Sequence, residues 1–324
     1  MRALQQLSLD GPSALKLADV PVPAPSPGEV LLRVVAAGIN YVDISQSYGT
    51  FANGPRPPYT AGVEAAGEVI AVGEGVQLAP GTHVIGICIG GGAFAEYVVL
   101  PAVAALPVPE GWTDEQALGL VVNWPTALAA LRPLGRLSAG ETVLIHAAAG
   151  GTGQAAVRLA KHYGATVIAT ASPEKHEVVR ALGADHVLGS RSTTLATDVL
   201  HLTDGAGVDL TLESIGGPTL ETSLTATKRV TGRVVVSGLP AGESAVTNWD
   251  LVYKHQLHLI GLNLGVLIQQ APQIFGEVMR ELFTLLATGI IPAGTPTTHD
   301  LADGSKALTA LESRTTTGKL AIHP

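Results

Sequence analysis

The chain has 324 residues, of which 46% are hydrophobic and 14% are charged, and its net charge at pH 7 is −8. The acidic balance and the lack of any Lys/Arg-rich run argue against a nucleic-acid groove. No apolar run reaches the ~18 residues that span a bilayer and no signal peptide is recognisable, so we expect a cytoplasmic protein without a membrane partner. Cys88 is the only cysteine, which excludes an internal disulfide, and the length predicts about two domains.

The first 110 residues have the pattern of short β-strands separated by glycine and proline. Between residues 28 and 37, Val30, Leu32, Val34 and Ala36 alternate with other residues, which places these four on one face of a half-buried strand. Further short strands and turns are predicted within 62–75 and 81–86. This part of the chain is therefore predicted to be β-rich.

From about residue 112, strands and helices alternate. Six strands joined by crossover helices predict an α/β fold with a doubly wound parallel sheet of the Rossmann type. An amphipathic helical stretch at 268–288 and a final short strand follow. The predicted strands lie near residues 142–146, 166–171, 185–188, 208–213, 232–237 and 257–262, and the predicted helices near 152–164, 173–182, 193–203, 218–228 and 247–255.

The turn after the first of these strands carries a dinucleotide-binding fingerprint, Ala148-x-Gly150-x-x-Gly153, with alanine in place of the first glycine. A small residue permits the tight turn, Gly150 lets the backbone approach a pyrophosphate, and Gly153 lets the helix pack close to the strand. The helix N-terminus offers free N–H groups to the phosphates. We therefore expect Gly150, Gly151, Thr152 and Gly153 to cradle a pyrophosphate; the alternative is a glycine-rich turn in another α/β protein.

The residues after the second strand indicate which dinucleotide binds. A chain that prefers NAD usually has Asp or Glu about 20 residues beyond the fingerprint, bound to the ribose 2′-hydroxyl; here Ser172 lies nineteen residues beyond Gly153. The hydroxyl of Ser172 and the ammonium of Lys175 suit a 2′-phosphate, whereas a carboxylate would repel it. Glu174 is expected to turn outward. We therefore predict NADPH; the alternative, that Ser172 only caps the next helix with Pro173 at its first position, is compatible with it.

The chain resembles the medium-chain dehydrogenase/reductase superfamily, and most of all its zinc-independent, zeta-crystallin-like quinone oxidoreductases. The resemblance implies a GroES-like β-rich catalytic domain formed by residues 1–121 and 264–324, a Rossmann NADPH-binding domain at 122–263, and a homodimer formed through the nucleotide domain. The motifs that carry it are GINYVDISQSYG (38–49), AGVEAAGEVIAVGEGV (61–76), PGTHVIG (80–86), GAFAEYV (92–98), AAAGGTG (147–153), LGADHVL (182–188) and ESRTTTGKLAI (312–322).

The zinc alcohol dehydrogenases of the same superfamily need ligands that this chain lacks. Zinc takes three or four nitrogen, sulfur or oxygen ligands. The zinc branch has a cysteine within the segment matching 38–41 and Gly-His-Glu where this chain has Gly62-Val63-Glu64, and its four-cysteine lobe is absent here. His255 and His258 have a suggestive spacing but no third ligand nearby. We therefore expect no metal bound in the family's mode, and a structural hydrogen bond for Glu64.

Without a metal, the acceptor itself must tolerate the charge that hydride transfer creates. The protein has to hold the acceptor close to the nicotinamide and stabilise negative charge on oxygen. A quinone or an activated enone spreads this charge by conjugation, so we expect a small hydrophobic conjugated acceptor, and a quinone first. The alternatives are an enoyl or enone reductase acting on a biosynthetic intermediate, and a non-catalytic NADPH-binding protein.

The resemblance also assigns individual site residues. Asn40 is expected beside the nicotinamide, where its amide could donate to the acceptor oxygen; alternatively it caps the following turn. Asp43 is expected to be structural, and Lys319 either contacts the cofactor or is solvated. The remaining expected cofactor contacts are Thr126, Arg191, Gly238, Leu239 and Asn263, and the expected substrate pocket includes Tyr41, Tyr48, Phe51 and Trp124.

One expected pocket residue departs from the family pattern. Relatives that reduce quinones or enoyl thioesters often have a tyrosine two residues after the glycine matching Gly49, and this chain has Phe51. Phenylalanine has no O–H, so an enone reduction would take its proton from water or from Tyr41, Tyr48 or Tyr59. The departure moves the expectation towards a quinone or a tailored aromatic substrate.

Overall fold

The computed structural model describes residues 1–88 and 90–324, and these form two compact units. The first unit comprises Met1–Val122 and Ala293–Pro324, and the second comprises Asn123–Pro292. The second boundary differs from the domain prediction, which returns the chain to the catalytic domain at residue 264. In the described part of the chain, no helix has both the length and the apolarity to cross a membrane.

Strands and helices are numbered in chain order. The strands are β1 (Arg2–Gln6), β2 (Leu15–Asp19), β3 (Glu29–Ile39), β4 (Tyr59–Thr60), β5 (Glu64–Val72), β6 (His83–Ile87), β7 (Tyr97–Pro101), β8 (Ala105–Pro107), β9 (Thr142–Ile145), β10 (Thr166–Ala171), β11 (His186–Gly189), β12 (Leu210–Glu213), β13 (Arg233–Val236), β14 (His258–Gly261), β15 (Thr297–Asp300) and β16 (Leu320–His323). The helices are α1 (Tyr41–Ser47), α2 (Asp114–Ala117), α3 (Asn123–Ala129), α4 (Gly151–His162), α5 (His176–Ala181), α6 (Leu195–Leu202), α7 (Pro218–Ala226), α8 (Leu264–Gln270), α9 (Pro272–Ala287) and α10 (Gly304–Glu312).

The first unit is built around the long strand β3. This strand pairs antiparallel with β5, β7 and β16, and β5 leads on through β6 to β8. Val30, Leu32, Val34 and Ala36 are buried, as the alternation in the sequence predicts. Val30, Leu32 and Val34 join Leu4, Phe94 and other apolar side chains in one core, and each fully buried large side chain contributes about 2 kcal/mol relative to exposure.

The second unit contains the predicted doubly wound sheet. Within the described residues the strand order is β11-β10-β9-β12-β13-β14, and every neighbouring pair is parallel. Strands β10 and β12 flank β9, so the winding direction reverses between β9 and β12. The prediction of a GroES-like β-rich part and a six-stranded Rossmann sheet is therefore confirmed.

The predicted amphipathic stretch after residue 268 is two helices. Helix α8 ends at Gln270, and Pro272, which lacks an N–H and so cannot continue a helix, begins α9. Glu281 of α9 accepts a hydrogen bond from the Tyr163 hydroxyl at 2.6 Å and lies 3.6 Å from Arg132 Nε. These contacts hold α9 to the second unit and account for the later boundary.

Candidate functional site

The predicted nucleotide-contacting residues of the second unit lie at one edge of its sheet. The glycine turn at 147–153 follows β9, Ser172 follows β10, Arg191 follows β11, and Gly238 follows β13. Because these strands are parallel, their carboxyl ends meet at the same edge. The reversal between β9 and β12 is the position at which open α/β sheets bind ligands.

The two outer fingerprint glycines have different structural reasons. A Cβ added at Gly153 would lie 2.2 Å from the carbonyl oxygen of Ala147 and 2.6 Å from Cα of Ala148, so only glycine allows α4 to pack against the turn. A Cβ at Gly150 would meet only the Ala147 oxygen, at 3.4 Å. The fold therefore requires glycine at 153. At Gly150 the fold leaves space beside the backbone, so a ligand can approach it.

The first turn of α4 is held by a residue that the sequence analysis did not single out. Asn123 Nδ2 of α3 donates to Thr152 Oγ1 at 3.0 Å, and a Cβ at Gly151 would lie 3.2 Å from the Asn123 amide. Asn123 thus holds the Thr152 hydroxyl and leaves little room for a side chain at position 151, and both residues were predicted to face phosphate. Its neighbours Trp124 and Thr126 were chosen for resemblance alone, and the sequence contains no signal for this contact.

The residues predicted to hold the 2′-phosphate come together. The Ser190 N–H donates to the Ala171 carbonyl at 2.9 Å, which places the loop of Arg191 beside Ser172. Ser172 precedes a helical turn with Pro173 at its first position, as the alternative role predicts, but its side chain makes no capping hydrogen bond. Partial burial lowers the pKa of Lys175. A hydroxyl and two cations therefore lie at the end of β10.

Glu174 differs from the expectation that it turns outward. Its side chain is exposed, but Oε1 accepts a hydrogen bond from Ser172 Oγ at 2.5 Å. This bond is the main cause that lowers the pKa of the Glu174 carboxyl, and the charges of Lys175 and Arg191 lower it further. The carboxylate therefore turns back towards the groups that suit a phosphate.

In the first unit, a buried carboxylate organises the motif around Asn40. Glu64 has no exposed surface, and its oxygens accept from Asn40 Nδ2 at 2.9 Å, the Gly119 N–H at 2.5 Å and Lys319 Nζ at 2.5 Å. Lys319 Nζ also donates to Asn40 Oδ1 at 2.7 Å. The Lys319 side chain is only 10% exposed, so it is not the solvated lysine of the alternative.

The side-chain amide of Asn40 is fully occupied by these contacts. Its Nδ2 donates to the Gly38 carbonyl at 3.1 Å as well as to Glu64, and an amide nitrogen has only two hydrogens. Its backbone N–H donates to Asp43 at 2.7 Å at the start of α1. Burial raises the pKa of Asp43 to about 7. Donation from Asn40 to an acceptor oxygen would require one of its two amide bonds to open.

The aromatic residues predicted near the substrate differ in accessibility. Tyr41 and Phe51 are half-buried, and Tyr48 is exposed and hydrogen-bonded to Glu312. Tyr59 is packed into the core, where burial raises the pKa of its phenol to about 12. Of the three tyrosines considered as proton donors, Tyr59 is therefore the least suited.

The remaining predicted cofactor contacts belong to the second unit. Thr126 lies in α3, and Gly238 and Leu239 lie in the loop after β13, with the Leu239 side chain exposed. Asn263 caps α8, since its Oδ1 accepts from the Val266 N–H at 3.2 Å. The cofactor roles of these four residues stay predictions.

Two of the residues considered for metal binding, His255 and Glu64, lie close to groups of the chain itself. His255 lies 3.4 Å from a carboxylate oxygen of Glu221, and Glu64 is enclosed by its three donors. Within residues 1–88 and 90–324, no group of three or more His, Cys, Asp or Glu side chains is arranged to hold a metal ion. Independence from zinc stays a prediction.

Family models match most of the chain. A model described as an alcohol dehydrogenase GroES-like domain matches residues 26–110, and one described as a zinc-binding dehydrogenase matches residues 151–283. Among curated proteins, a mycocerosic acid synthase-like polyketide synthase of Mycobacterium tuberculosis is 34% identical over 302 residues. The match covers 92% of this chain, which spans only 14% of the length of that relative.

Solved structures match the whole chain. A quinone oxidoreductase of Pseudomonas syringae pv. tomato DC3000 is 33% identical with a TM-score of 0.92, and Escherichia coli quinone oxidoreductase complexed with NADPH is 29% identical with a TM-score of 0.93; the match covers 100% of both chains in each case. The CurK enoyl reductase is 28% identical with a TM-score of 0.88, over 99% of each chain. The chain therefore belongs to the medium-chain dehydrogenase/reductase superfamily and is quinone-oxidoreductase-like, which confirms the resemblance found in its sequence.

The different surroundings of Gly150 and Gly153 lead to a testable contrast. We expect Gly153→Ala to lower the free energy of unfolding by about 2 kcal/mol, because its Cβ overlaps backbone atoms of the turn. Gly150→Ala should change that free energy by less than ~1 kcal/mol and still weaken dinucleotide binding. Urea unfolding and NADPH titration by fluorescence measure the two effects. Unimpaired binding by a folded Gly150→Ala protein would contradict the pyrophosphate assignment.

The buried pair of Glu64 and Lys319 leads to a second prediction. Lys319→Met leaves a fully buried carboxylate without its cation and should destabilise the first unit by about 3 kcal/mol. Adding Glu64→Gln should recover much of this loss, because a neutral amide still accepts from Gly119 and no charge remains buried. Hydrogen exchange in β3 and β5 reports the local stability. Equal protection in the Lys319→Met variant and the wild type would show that the pair contributes nothing.

Proposed function

We propose that the protein is a zinc-independent, NADPH-dependent oxidoreductase that transfers hydride to a conjugated acceptor, and that this acceptor is a quinone. The observation that carries the cofactor part is the convergence of Ser172, Lys175 and Arg191 at the end of β10, beside the glycine turn. Escherichia coli quinone oxidoreductase, a structural relative, is an NADPH complex and supports the same cofactor.

The chain fits this cofactor at several places. The backbone at Gly150 is open to a pyrophosphate, and α4 begins at Gly151. A helix N-terminus offers N–H groups that have no partner within the helix, together with a partial positive charge. When bound, NADPH supplies the hydride. The chain's own residues bind and orient it: Asn123 holds Thr152 in place, and Lys175 and Arg191 attract the 2′-phosphate.

The choice of a conjugated acceptor rests on the cluster around Glu64. Val63 stands where the zinc branch has its histidine ligand, and the carboxylate of Glu64 is already neutralised by Lys319. With no metal at this position, negative charge on the acceptor oxygen has to be spread within the acceptor itself. A quinone does so most readily, and its hydroquinone takes protons from solvent without a phenol at position 51.

An enoyl or enone reductase is the second candidate. The likeness to the CurK enoyl reductase and to polyketide synthases favours it. An enone also needs a proton at carbon. Among the tyrosines close to Phe51 in sequence, Tyr41 and Tyr48 are the accessible candidates for the proton donor.

A non-catalytic NADPH-binding role is the third candidate and is distinguished only by the absence of turnover. The cytoplasmic location and the lack of nucleic-acid or membrane partners remain part of the proposal.

We also propose a homodimer formed through the second unit. Strand β14 is at the edge of the described sheet, and an edge strand offers unpaired N–H and C=O groups to another strand. The exposed apolar side chains of Leu259, Trp249, Val252 and Tyr253 lie on β14 and on the helical turn before it. A second copy of the chain would cover them.

The acceptor is tested by following NADPH oxidation with a panel of quinones and enones, with NADH in parallel. We expect fast oxidation with a quinone, slower use of NADH, and no effect of a chelator. Oxidation with enones alone would favour the second candidate, and NADPH binding without any turnover would favour the third. Loss of activity in chelator with recovery by zinc would contradict zinc independence.

In the same assay Lys175→Ala reports on the cofactor site. Removing the ammonium should weaken NADPH binding about tenfold and NADH binding much less, because only NADPH carries the 2′-phosphate. Lys161→Ala is the matched control, since Lys161 pairs with Asp185 in the same unit, away from the proposed phosphate site and dimer surface. Equal losses for both dinucleotides would argue against the predicted phosphate site.

The dimer is tested by sedimentation equilibrium. We expect a mass of two chains for the wild type and a lower average mass for Leu259→Lys, which places a charge on the edge strand. His186→Lys, on the opposite edge strand β11, is the control and should remain dimeric. A wild-type protein that sediments as a single chain would contradict the proposal.

A further inference from the structure

The cations predicted to bind the 2′-phosphate already face an anion of the chain. Glu174 Oε1 lies 2.5 Å from Ser172 Oγ, and the carboxylate is within the electrostatic reach of Lys175 and Arg191. A hydroxyl donor with two cations is the set that a phosphate monoester needs. The carboxylate of Glu174 therefore engages the same partners as the phosphate would.

The position of this carboxylate also has a meaning for NADH. In chains that prefer NAD, an Asp or Glu at the end of the second strand accepts a hydrogen bond from the ribose 2′-hydroxyl. Here that position holds Ser172, but Glu174 returns a carboxylate to within hydrogen-bond distance of the Ser172 hydroxyl. The chain thus combines cations that suit NADPH with an acceptor that suits NADH.

We propose that Glu174 is a specificity-determining residue that competes with the 2′-phosphate for Ser172, Lys175 and Arg191 and thereby lowers the preference for NADPH over NADH. This inference rests on the proposed function, since it requires NADPH at the end of β10. When NADPH binds, the Glu174 carboxylate must give up its hydrogen bond from Ser172 and then lies near the negative charge of the 2′-phosphate. On binding NADH, it keeps a neutral hydroxyl as its neighbour and is not repelled.

The test compares Glu174→Gln with a matched variant, Glu177→Gln. Glu177 lies in the helix α5 that follows, is 86% exposed and pairs with Arg180, so its change removes the same charge from a position away from Ser172. Dissociation constants of NADPH and NADH are measured for both variants and the wild type. We expect the NADPH preference to rise about fivefold in Glu174→Gln, mainly through tighter NADPH binding, and to stay unchanged in Glu177→Gln.

The outcomes separate this inference from the proposed function. An unchanged preference in Glu174→Gln, or an equal rise in Glu177→Gln, overturns the role of Glu174 while NADPH binding by the wild type stands. A wild type that binds no NADPH overturns both. A selective rise in Glu174→Gln supports the inference whichever acceptor the enzyme reduces.

Discussion

The site in the second unit depends on one constraint, the parallel direction of all strands in its described sheet. Parallel strands bring their carboxyl ends to a single edge, so residues far apart in the chain meet there. The glycine turn follows one of these strands, β9. At Gly153 the absence of a side chain lets α4 begin directly against the backbone of residues 147 and 148. The N-terminus of α4 is thereby aimed along the same edge, where its N–H groups can meet a pyrophosphate.

The first unit depends on a different constraint, the burial of the Glu64 charge. A carboxylate without exposed surface must be paired and hydrogen-bonded, and three donors from separate segments meet this need. The arrangement restrains Asn40, because the same lysine also holds its carbonyl oxygen. Asn40, which its motif places beside the nicotinamide, is thus positioned by the ion pair of Glu64 and Lys319.

The sequence predicts most of the fold because the fold follows from local patterns. Alternating Val30, Leu32, Val34 and Ala36 define β3, and hydrophobic strands before small-residue turns define the parallel sheet. The glycine turn and the cluster of Ser172, Lys175 and Arg191 were predictable because topology alone brings them together. The break at Ala271 was missed, although Pro272 was a visible signal for it.

The contacts that sequence reasoning missed are long-range or depend on one side-chain rotamer. Lys319 lies 255 residues from Glu64 and could be assigned only as a cofactor contact or a solvated lysine. Asn123 reaches Thr152 between two helices, and Glu174 turns back within its own turn. The last case matters most for function. Residue type alone placed a hydroxyl and cations around a phosphate, but a flexible neighbouring carboxylate can occupy the same donors. Under the proposal above, the affinity of such a site for NADPH depends on how readily the 2′-phosphate replaces the Glu174 carboxylate. The cations by themselves determine only that the bound group is an anion.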